Sequence, residues 1–396
     1  MVFEVAIIGA GLGGPALALE LLSVPNVKCT IYEMRPEGFE QGQHISLAPN
    51  ALRVTENIGI FKKLKGIGNS YEELHFRNAQ GSPIATFHNG KESDYGYAAM
   101  RIHRRHVQQT LVEECLTKRI KIVTDMRLKT IHEQSGTSKV QLTFENGQTV
   151  FVDFVAGVDG LHSVARKYVA PGAEDVWAGM LGVTGYLQKS KLHSSINRIT
   201  LPSHFIGQNG FIAIMPSDRS GNEIGFFSTM DFPEERSRAQ WTELFNDKNA
   251  IREILRAIYT KDHGWCDLVD SIGRVVVLGD AAHAMIPTGG LGASLALEDA
   301  ECLAKALKHA SSTNFDSSAL KQSLGTWEEH RRVRLALVQE FTNRNRRLRQ
   351  PGGSWLTQTI KEWAVWLLFK FVGSGGMAEA IYQYDTKQFE KMLLPV

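Results

Sequence analysis

The first residues with recognisable chemistry are three glycines, Gly9, Gly11 and Gly14, which follow the apolar run Phe3–Ile8 and precede a helix-forming stretch. The first glycine permits a tight turn, the second lets a pyrophosphate approach the backbone, and the third allows a helix to pack closely on a strand. The free N–H groups at the helix start favour phosphate. A second strand ends in Glu33, a carboxylate spaced to bind a ribose. This spacing predicts a dinucleotide site without distinguishing NAD from FAD.

Two later segments repeat the pattern of an apolar strand that ends in a loop carrying a carboxylate. The first has an Asp-Gly pair at 159–160, followed by Arg166 in a predicted helix start. The second has Asp280 and continues through Pro287 and the glycine-rich loop 289–293 into a helix. The Asp280 carboxylate is suited to a polyol hydroxyl, and the loop backbone is suited to lie against a flat ring system.

In this order and spacing, the three segments resemble the class A FAD-dependent monooxygenases, the superfamily of aromatic hydroxylases similar to salicylate and p-hydroxybenzoate hydroxylase. The resemblance extends from Val5 to about Arg334. It implies an α/β fold: a Rossmann-like FAD-binding domain with a parallel sheet, an inserted and mostly antiparallel β-sheet substrate layer, and a C-terminal helical segment. It also implies that FAD is bound at Gly9, Gly11, Gly14, Glu33, His44, Arg104, Asp159, Gly160, Arg166, Asp280, Pro287, Gly290, Gly292 and Ala293.

Two shorter segments add to the resemblance. Arg104 matches the arginine at a helix start that contacts FAD in the family, and residues 42–45 with 49–51 match the segment that closes over the flavin. His44 stands where the family has a small residue, so we expect only its backbone to contribute. The expected division is a discontinuous FAD-binding domain (1–72, 98–172 and 273–320), a substrate domain (73–97 and 173–272) and a helical segment (321–396).

The resemblance implies a reaction cycle in which NADPH or NADH, as a transient co-substrate, reduces FAD, and O2 then adds at flavin C4a. The resulting hydroperoxide hydroxylates an aromatic small molecule of phenolic or secondary-metabolite type. The cofactor carries the difficult chemistry, while the protein orients the substrate and excludes water. Three alternatives stay open: epoxidation of an alkene or indole, a flavin oxidase or dehydrogenase without oxygen insertion, and a non-catalytic flavin-binding protein.

The substrate side of the site is less defined. A phenolic substrate needs a base, which the sequence does not identify; the candidates for facing the substrate are His44, Thr184, Tyr186 and His204. Many family members carry an arginine where this chain has Thr184. The stretch 265–274 also looks shorter than in the family. Both departures favour a larger, neutral substrate.

The composition of the chain limits which classes of protein it can belong to. The chain has 396 residues, a formal net charge of +2 and 43% hydrophobic residues, which is typical of a globular protein and gives no electrostatic indication of nucleic-acid binding. The four cysteines are scattered without metal-ligand spacing. Because no signal peptide or run of 18 apolar residues is present, we predict a cytoplasmic protein. The oligomeric state is left open.

Two features of the C-terminal region allow more than one interpretation. The first is a group of seven arginines: Arg331, Arg332, Arg334, Arg344, Arg346, Arg347 and Arg349. They could form a docking patch for the phosphates of NADPH or for another anionic surface. We favour the alternative, a solvated helix face on which local Glu side chains pair with the arginines. The aromatic residues Trp363, Trp366, Phe369 and Phe371 predict a packed core helix rather than a membrane contact.

Overall fold

A computed structural model of the chain describes residues 2–38, 44–78, 81–134, 139–172, 180–191, 199–207, 210–231, 240, 275–277, 290–349, 359–360, 362–367 and 377–393. The predicted parallel sheet is present. Its strands, in spatial order, are β17 (Val275–Val277), β12 (Phe154–Gly157), β1 (Phe3–Ile8), β2 (Val27–Tyr32) and β8 (Lys121–Val123), each parallel to its neighbours. The central strand β1 is buried at five of six positions, because a parallel sheet is covered by helices on both faces.

Ten helices are described. They are α1 (Gly13–Glu20), α2 (Pro49–Asn57), α3 (Phe61–Lys65), α4 (Glu92–Tyr95), α5 (Arg104–Thr117), α6 (Val164–Val169), α7 (Gly292–Ser311), α8 (Ser317–Arg349), α9 (Met377–Tyr382) and α10 (Lys387–Leu393), with a further helical stretch over 362–367. Helix α1 is buried from Gly13 through Leu19, as its continuous apolar sequence requires. It packs against α5 and α7, and these helices share the main hydrophobic core with the parallel sheet.

A six-stranded sheet forms the second layer. In spatial order it contains β13 (Met180–Gln188), β16 (Glu223–Asp231), β15 (Gly210–Pro216), β14 (Ser203–Gly207), β5 (Glu73–Asn78) and β6 (Pro83–His88). Only the β14–β5 pair is parallel. The predicted α/β fold with a mostly antiparallel layer is therefore confirmed, while the domain boundaries stay a prediction. A separate antiparallel sheet contains β9 (Leu128–Glu133), β10 (Val140–Phe144) and β11 (Thr149–Val152).

A small antiparallel sheet connects the two layers. It consists of β3 (His44–Leu47), β7 (Ala99–His103) and β4 (Asn69–Tyr71). Because side chains alternate along a strand, Met100 and Ile102 of β7 belong to the main core, whereas Ala99 packs with the six-stranded sheet. Residues 99, 101 and 103 of β7 therefore share the face directed toward the second layer.

The C-terminal region is helical, as predicted, but the aromatic residues behave differently from the expectation. The prediction of a packed core helix is wrong for Trp363 and Trp366, whose side chains are 61% and 37% exposed. The stretch is short and buries only Val365 closely, so the two rings pack on each other instead. Phe369 and Phe371 lie outside the described residues. In the part of the chain that the structure covers, no helix is both long and apolar enough to cross a membrane.

Candidate functional site

The three glycines of the first turn differ in what surrounds them. Gly9 has a φ of +112°, and a Cβ there would lie 2.4 Å from the Val158 carbonyl oxygen. A Cβ at Gly14 would lie 2.0 Å from the Gly9 carbonyl oxygen. At Gly11 the nearest atom would be Arg104 Nη2 at 3.6 Å. The packing of the protein thus requires Gly9 and Gly14, whereas the missing side chain of Gly11 leaves space beside the turn.

A first cavity, of about 210 Å³, lies beside this turn and reaches Glu33 at the end of β2. Glu33 accepts backbone hydrogen bonds from the N–H groups of Ala10, at 2.7 Å, and Arg35, at 3.0 Å. These two bonds fix the carboxylate on the cavity wall. Each carboxylate oxygen has a further lone pair, so Glu33 can also accept hydrogen bonds from ribose hydroxyls.

A second cavity, of about 320 Å³, shares Gly11 and Arg104 with the first. Helix α7 begins at this cavity, where the first N–H groups of a helix lack intrahelical acceptors and favour negative charge. The structure brings residues predicted from separate motifs onto its wall: Gly11, His44, Arg104, Gly160, Gly290, Gly292 and Ala293. Asp280 and Pro287 lie outside the described residues.

Asp159 and Arg166 hold the loop that presents Gly160 to the second cavity. Asp159 accepts hydrogen bonds from the Ser163 hydroxyl at 2.5 Å and the Val164 N–H at 2.7 Å. Arg166, which is buried, donates to the Leu161 carbonyl oxygen at 2.7 Å. Neither side chain lines a cavity wall. Gly160 does, with a φ of +77°, a conformation that glycine adopts without strain.

His44, Ser46 and Arg101 of β3 and β7 line the second cavity, and together with the adjacent His103 they form what we call the cavity floor. His44 Nε2 lies 2.7 Å from Glu223 Oε1, and its ring contacts His103 and Tyr186 edge-on. Burial, with the nearby charge of Arg101, lowers the pKa of His44 to about 4. His44 is therefore neutral at pH 7 and donates its Nε2 proton to Glu223, while Nδ1 is buried and has no hydrogen-bond partner among the described residues. The side chain has no exposed surface, and the expectation that only the His44 backbone contributes to the site stays a prediction.

Sequence reasoning missed Arg101. Its side chain is 7% exposed and lines the second cavity. Nη1 donates a long hydrogen bond of 3.3 Å to the Ser46 hydroxyl, and Nε has no partner. Burial lowers its pKa to about 10, so the guanidinium stays charged at neutral pH. The available signal was an arginine in a short strand that also contains Ala99, Met100 and Ile102, two residues before His103 and so on the same face.

The other predicted substrate-side residues are placed differently. Thr184 donates a hydrogen bond to the Phe226 carbonyl oxygen at 3.0 Å, across the β13–β16 pair. Tyr186 is 49% exposed and contacts the rings of the cavity floor. His204 is buried, with its ring edge-on to Phe76 and Phe211, and lines neither cavity. The structure thus brings together His44 and Tyr186 but not Thr184 and His204.

A second buried charged group lies behind α7, and we call it the ion network. Arg331 donates to Asp299 at 2.7 Å and to Glu298 at 3.0 Å, while Arg334 donates to Glu298 at 2.7 Å. Both interpretations of the tail arginines are wrong for Arg331 and Arg334, because both are buried and paired within the fold. Arg332 does match the solvated face, since it is exposed and pairs with Glu328 one turn away.

The two connected cavities fit FAD. Glu33 stands at one end, the open space beside Gly11 lies in the middle, and the glycine-rich start of α7 with the cavity floor forms the other end. The family FAD binding domain matches residues 2–342. The chain belongs to this family. The predicted FAD cofactor and the predicted resemblance to class A FAD-dependent monooxygenases are confirmed, and the protein is an FAD-dependent monooxygenase.

Individual relatives agree with this membership. The chain is 28% identical over 372 residues to a salicylate hydroxylase of Pseudomonas putida, covering 85% of this chain and 84% of the relative. It is also 28% identical over 370 residues to 3-amino-4-hydroxybenzoate 2-monooxygenase of Streptomyces cremeus, and the match covers 87% of this chain and 91% of the relative. The fold resembles that of Klebsiella pneumoniae HpxO in complex with FAD and uric acid, with a TM-score of 0.73 at 19% identity. This match covers 96% of this chain and 97% of HpxO. A salicylate hydroxylase substrate complex gives a TM-score of 0.73 at 22% identity, covering 100% and 99%.

Proposed function

We propose that the protein uses NADPH or NADH and O2 to hydroxylate an aromatic small molecule in the second cavity. One observation carries this proposal: a single cavity extends from Gly11 of the dinucleotide turn to Phe227 of the six-stranded sheet. A flat ring held at the start of α7 would therefore face a space closed by the cavity floor and the second layer. Binding sites are commonly found at such junctions between layers.

We assign each proposed FAD-binding residue to one part of the cofactor. Glu33 would bind the adenosine ribose, and the backbone at Gly9, Gly11 and Gly14 would let the pyrophosphate approach α1, with Arg104 supplying a positive charge. Asp280 would bind the ribityl chain. Two groups of residues would form or support the wall around the flavin ring. One is Pro287, Gly290, Gly292 and Ala293, and the other is Asp159, Gly160 and Arg166.

When bound, reduced FAD supplies the electrons that activate O2 for transfer of one oxygen atom to the substrate. The protein then has to orient the substrate and keep water out. His44 would contribute to orientation indirectly, because its neutral ring is fixed by Glu223 and packed against His103. Its side chain has no exposed surface, so it would support the cavity floor and would not contact the substrate itself. With a pKa of about 4, it would stay neutral at pH 7.

Anaerobic mixing of the holoenzyme with NADPH and then NADH tests the function. We expect the flavin to bleach, and we expect phenolic or other aromatic compounds from a panel to accelerate bleaching. Turnover under ¹⁸O2 should then add one labelled oxygen atom to the product. Failure of both nucleotides to bleach the flavin would overturn the NAD(P)H-dependent mechanism. A product without label would indicate an oxidase or dehydrogenase, and NMR of a labelled product separates a phenol from an epoxide.

A further inference from the structure

The second cavity contains a positive charge that the proposed function does not yet use. Arg101 is 7% exposed, lines this cavity and lies on the cavity-floor face of β7. In the described ranges no carboxylate oxygen lies within 4.0 Å of its guanidinium, and its one hydrogen bond is the long contact to Ser46. A buried charge without a partner is costly, and proteins normally pair such groups or bind ions with them. The arrangement indicates a missing anion.

The described neighbours of Arg101 offer no charge to compensate it. Ser46 accepts its hydrogen bond, and Tyr71 interacts with its charge; burial raises the pKa of Tyr71, which therefore stays neutral. Glu223, the carboxylate at the edge of the cavity floor, is held by His44 Nε2 at 2.7 Å. Among the described residues, Arg101 thus interacts with Ser46, Tyr71 and a neutral His44, and with no negatively charged group.

The pyrophosphate of FAD does not explain Arg101, because another arginine already serves that end of the cavity. Arg104 Nη2 would lie 3.6 Å from a Cβ at Gly11, next to the dinucleotide turn. Arg101 lies in register with Ser46, on the strand pair that carries His44 and His103. The cavity therefore has one arginine beside the phosphate-binding turn and a second at the cavity floor.

We propose that Arg101 binds a carboxylate of the aromatic substrate in the second cavity. This proposal rests on the proposed function, because it places the substrate in the same cavity. Arg101 lines the cavity, and its Nη2 atom has no hydrogen-bond partner among the described residues, so it can donate a charge-assisted hydrogen bond to a carboxylate oxygen. The absence of an arginine at Thr184 favoured a neutral substrate; Arg101 supplies that cation from the FAD-binding layer instead.

Matched acid and amide pairs test the proposal with the oxidised holoenzyme. Salicylate and salicylamide, 4-hydroxybenzoate and 4-hydroxybenzamide, and anthranilate and anthranilamide would be titrated while the flavin absorbance spectrum is recorded. We expect at least one acid to bind about 10- to 100-fold more tightly than its amide, as for a hydrogen bond to a charged group. Arg101→Gln should remove this preference by weakening the acid alone, and Arg101→Lys should retain part of it. FAD affinity should stay within about threefold in both variants.

The control is Arg332→Gln, which removes an exposed arginine that lines neither cavity and should leave every affinity unchanged. The proposal is overturned if no acid binds more tightly than its amide. It is also overturned if Arg101→Gln weakens acid and amide equally, or if it releases FAD, which would make the cofactor the anion. Because these titrations need neither NAD(P)H nor turnover, failure of flavin reduction would overturn the proposed function and leave carboxylate binding standing.

Discussion

The ion network and the cavity floor are both buried and both contain arginine, yet they differ in how their charges are satisfied. In the network, Glu298 is fully buried and receives hydrogen bonds from Arg331, Arg334 and Asn50. In the floor, Arg101 Nε and His44 Nδ1 have no hydrogen-bond partner within the part of the chain that the structure describes. A cluster that the protein completes by itself holds the fold together. A cluster that it leaves incomplete is suited to a ligand.

The pKa values follow the same division. Burial alone would raise the pKa of Glu298, but the adjacent Arg334 and Arg331 lower it below its usual value. Burial opposes the charge of Arg331 as well, but Asp299 and Glu298 raise its pKa. Arg101 has only burial acting strongly upon it, which lowers its pKa to about 10. Attraction thus exceeds desolvation in the network but not in the floor.

The largest expected effect comes from exchanging arginine for glutamine in each region. Arg331→Gln removes the cation that pairs with Asp299 and Glu298 in a buried site, so the free energy of unfolding should fall by about 3–5 kcal/mol. Arg101→Gln removes a charge that has no partner, so the same quantity should change by less than about 1 kcal/mol or rise. Urea denaturation of the two apoproteins measures both values. Equal losses would show that Arg101 is also structural.

Sequence reasoning recovered the parts of the molecule that depend on local chemistry. The glycine turn, the strand ending in Glu33 and the α/β fold follow from spacing that a strand–turn–helix unit requires. The ion network was not predictable, because Glu298 and Arg331 lie 33 residues apart and only the packing of α8 on α7 joins them. His44 and Glu223, 179 residues apart, meet only because the second layer covers β3. Long-range pairing of this kind leaves no periodic signal in one sequence.

Two glycines of the dinucleotide turn also differ in whether they serve the fold or a ligand, and here the expected effect is smaller. Gly14→Ala would force a Cβ to within 2.0 Å of the Gly9 carbonyl oxygen, and we expect a loss of about 1–3 kcal/mol in unfolding free energy. Gly11→Ala meets nothing closer than 3.6 Å, so its stability should be near that of the wild type while its affinity for FAD falls. Urea denaturation of the apoproteins and fluorescence titration with FAD separate the two. A stable Gly14→Ala protein would contradict the packing argument.

Acid should destabilise the cavity floor. The pKa values of His44 and His103 are lowered to about 4, burial being the main cause for each, from about 6.5 in an unfolded chain. The unfolded state therefore binds more protons between pH 6.5 and 4, and stability is lost as the pH falls through this range. We expect a loss on the order of 2 kcal/mol for each histidine. His44→Gln should flatten the dependence of Tm on pH. Part of this pH dependence should remain in the variant, because burial also lowers the pKa of His330, which lies in the ion network, to about 4.

The smallest effect compares two tyrosine hydroxyls. Tyr384 accepts hydrogen bonds from Arg331 Nη1 at 3.1 Å, and its hydroxyl lies 2.9 Å from His330 Nε2. Tyr384→Phe keeps the ring that stacks under Arg334 but removes the hydroxyl that Arg331 and His330 contact, so we expect a loss of about 1 kcal/mol in unfolding free energy. Tyr186 is 49% exposed, and Tyr186→Phe should change stability by less than about 0.5 kcal/mol. Urea denaturation of both variants decides the point. If Tyr186→Phe cost as much as Tyr384→Phe, the cavity floor would depend on its own hydrogen bonds as the ion network does, and it would no longer be the region left open for a ligand.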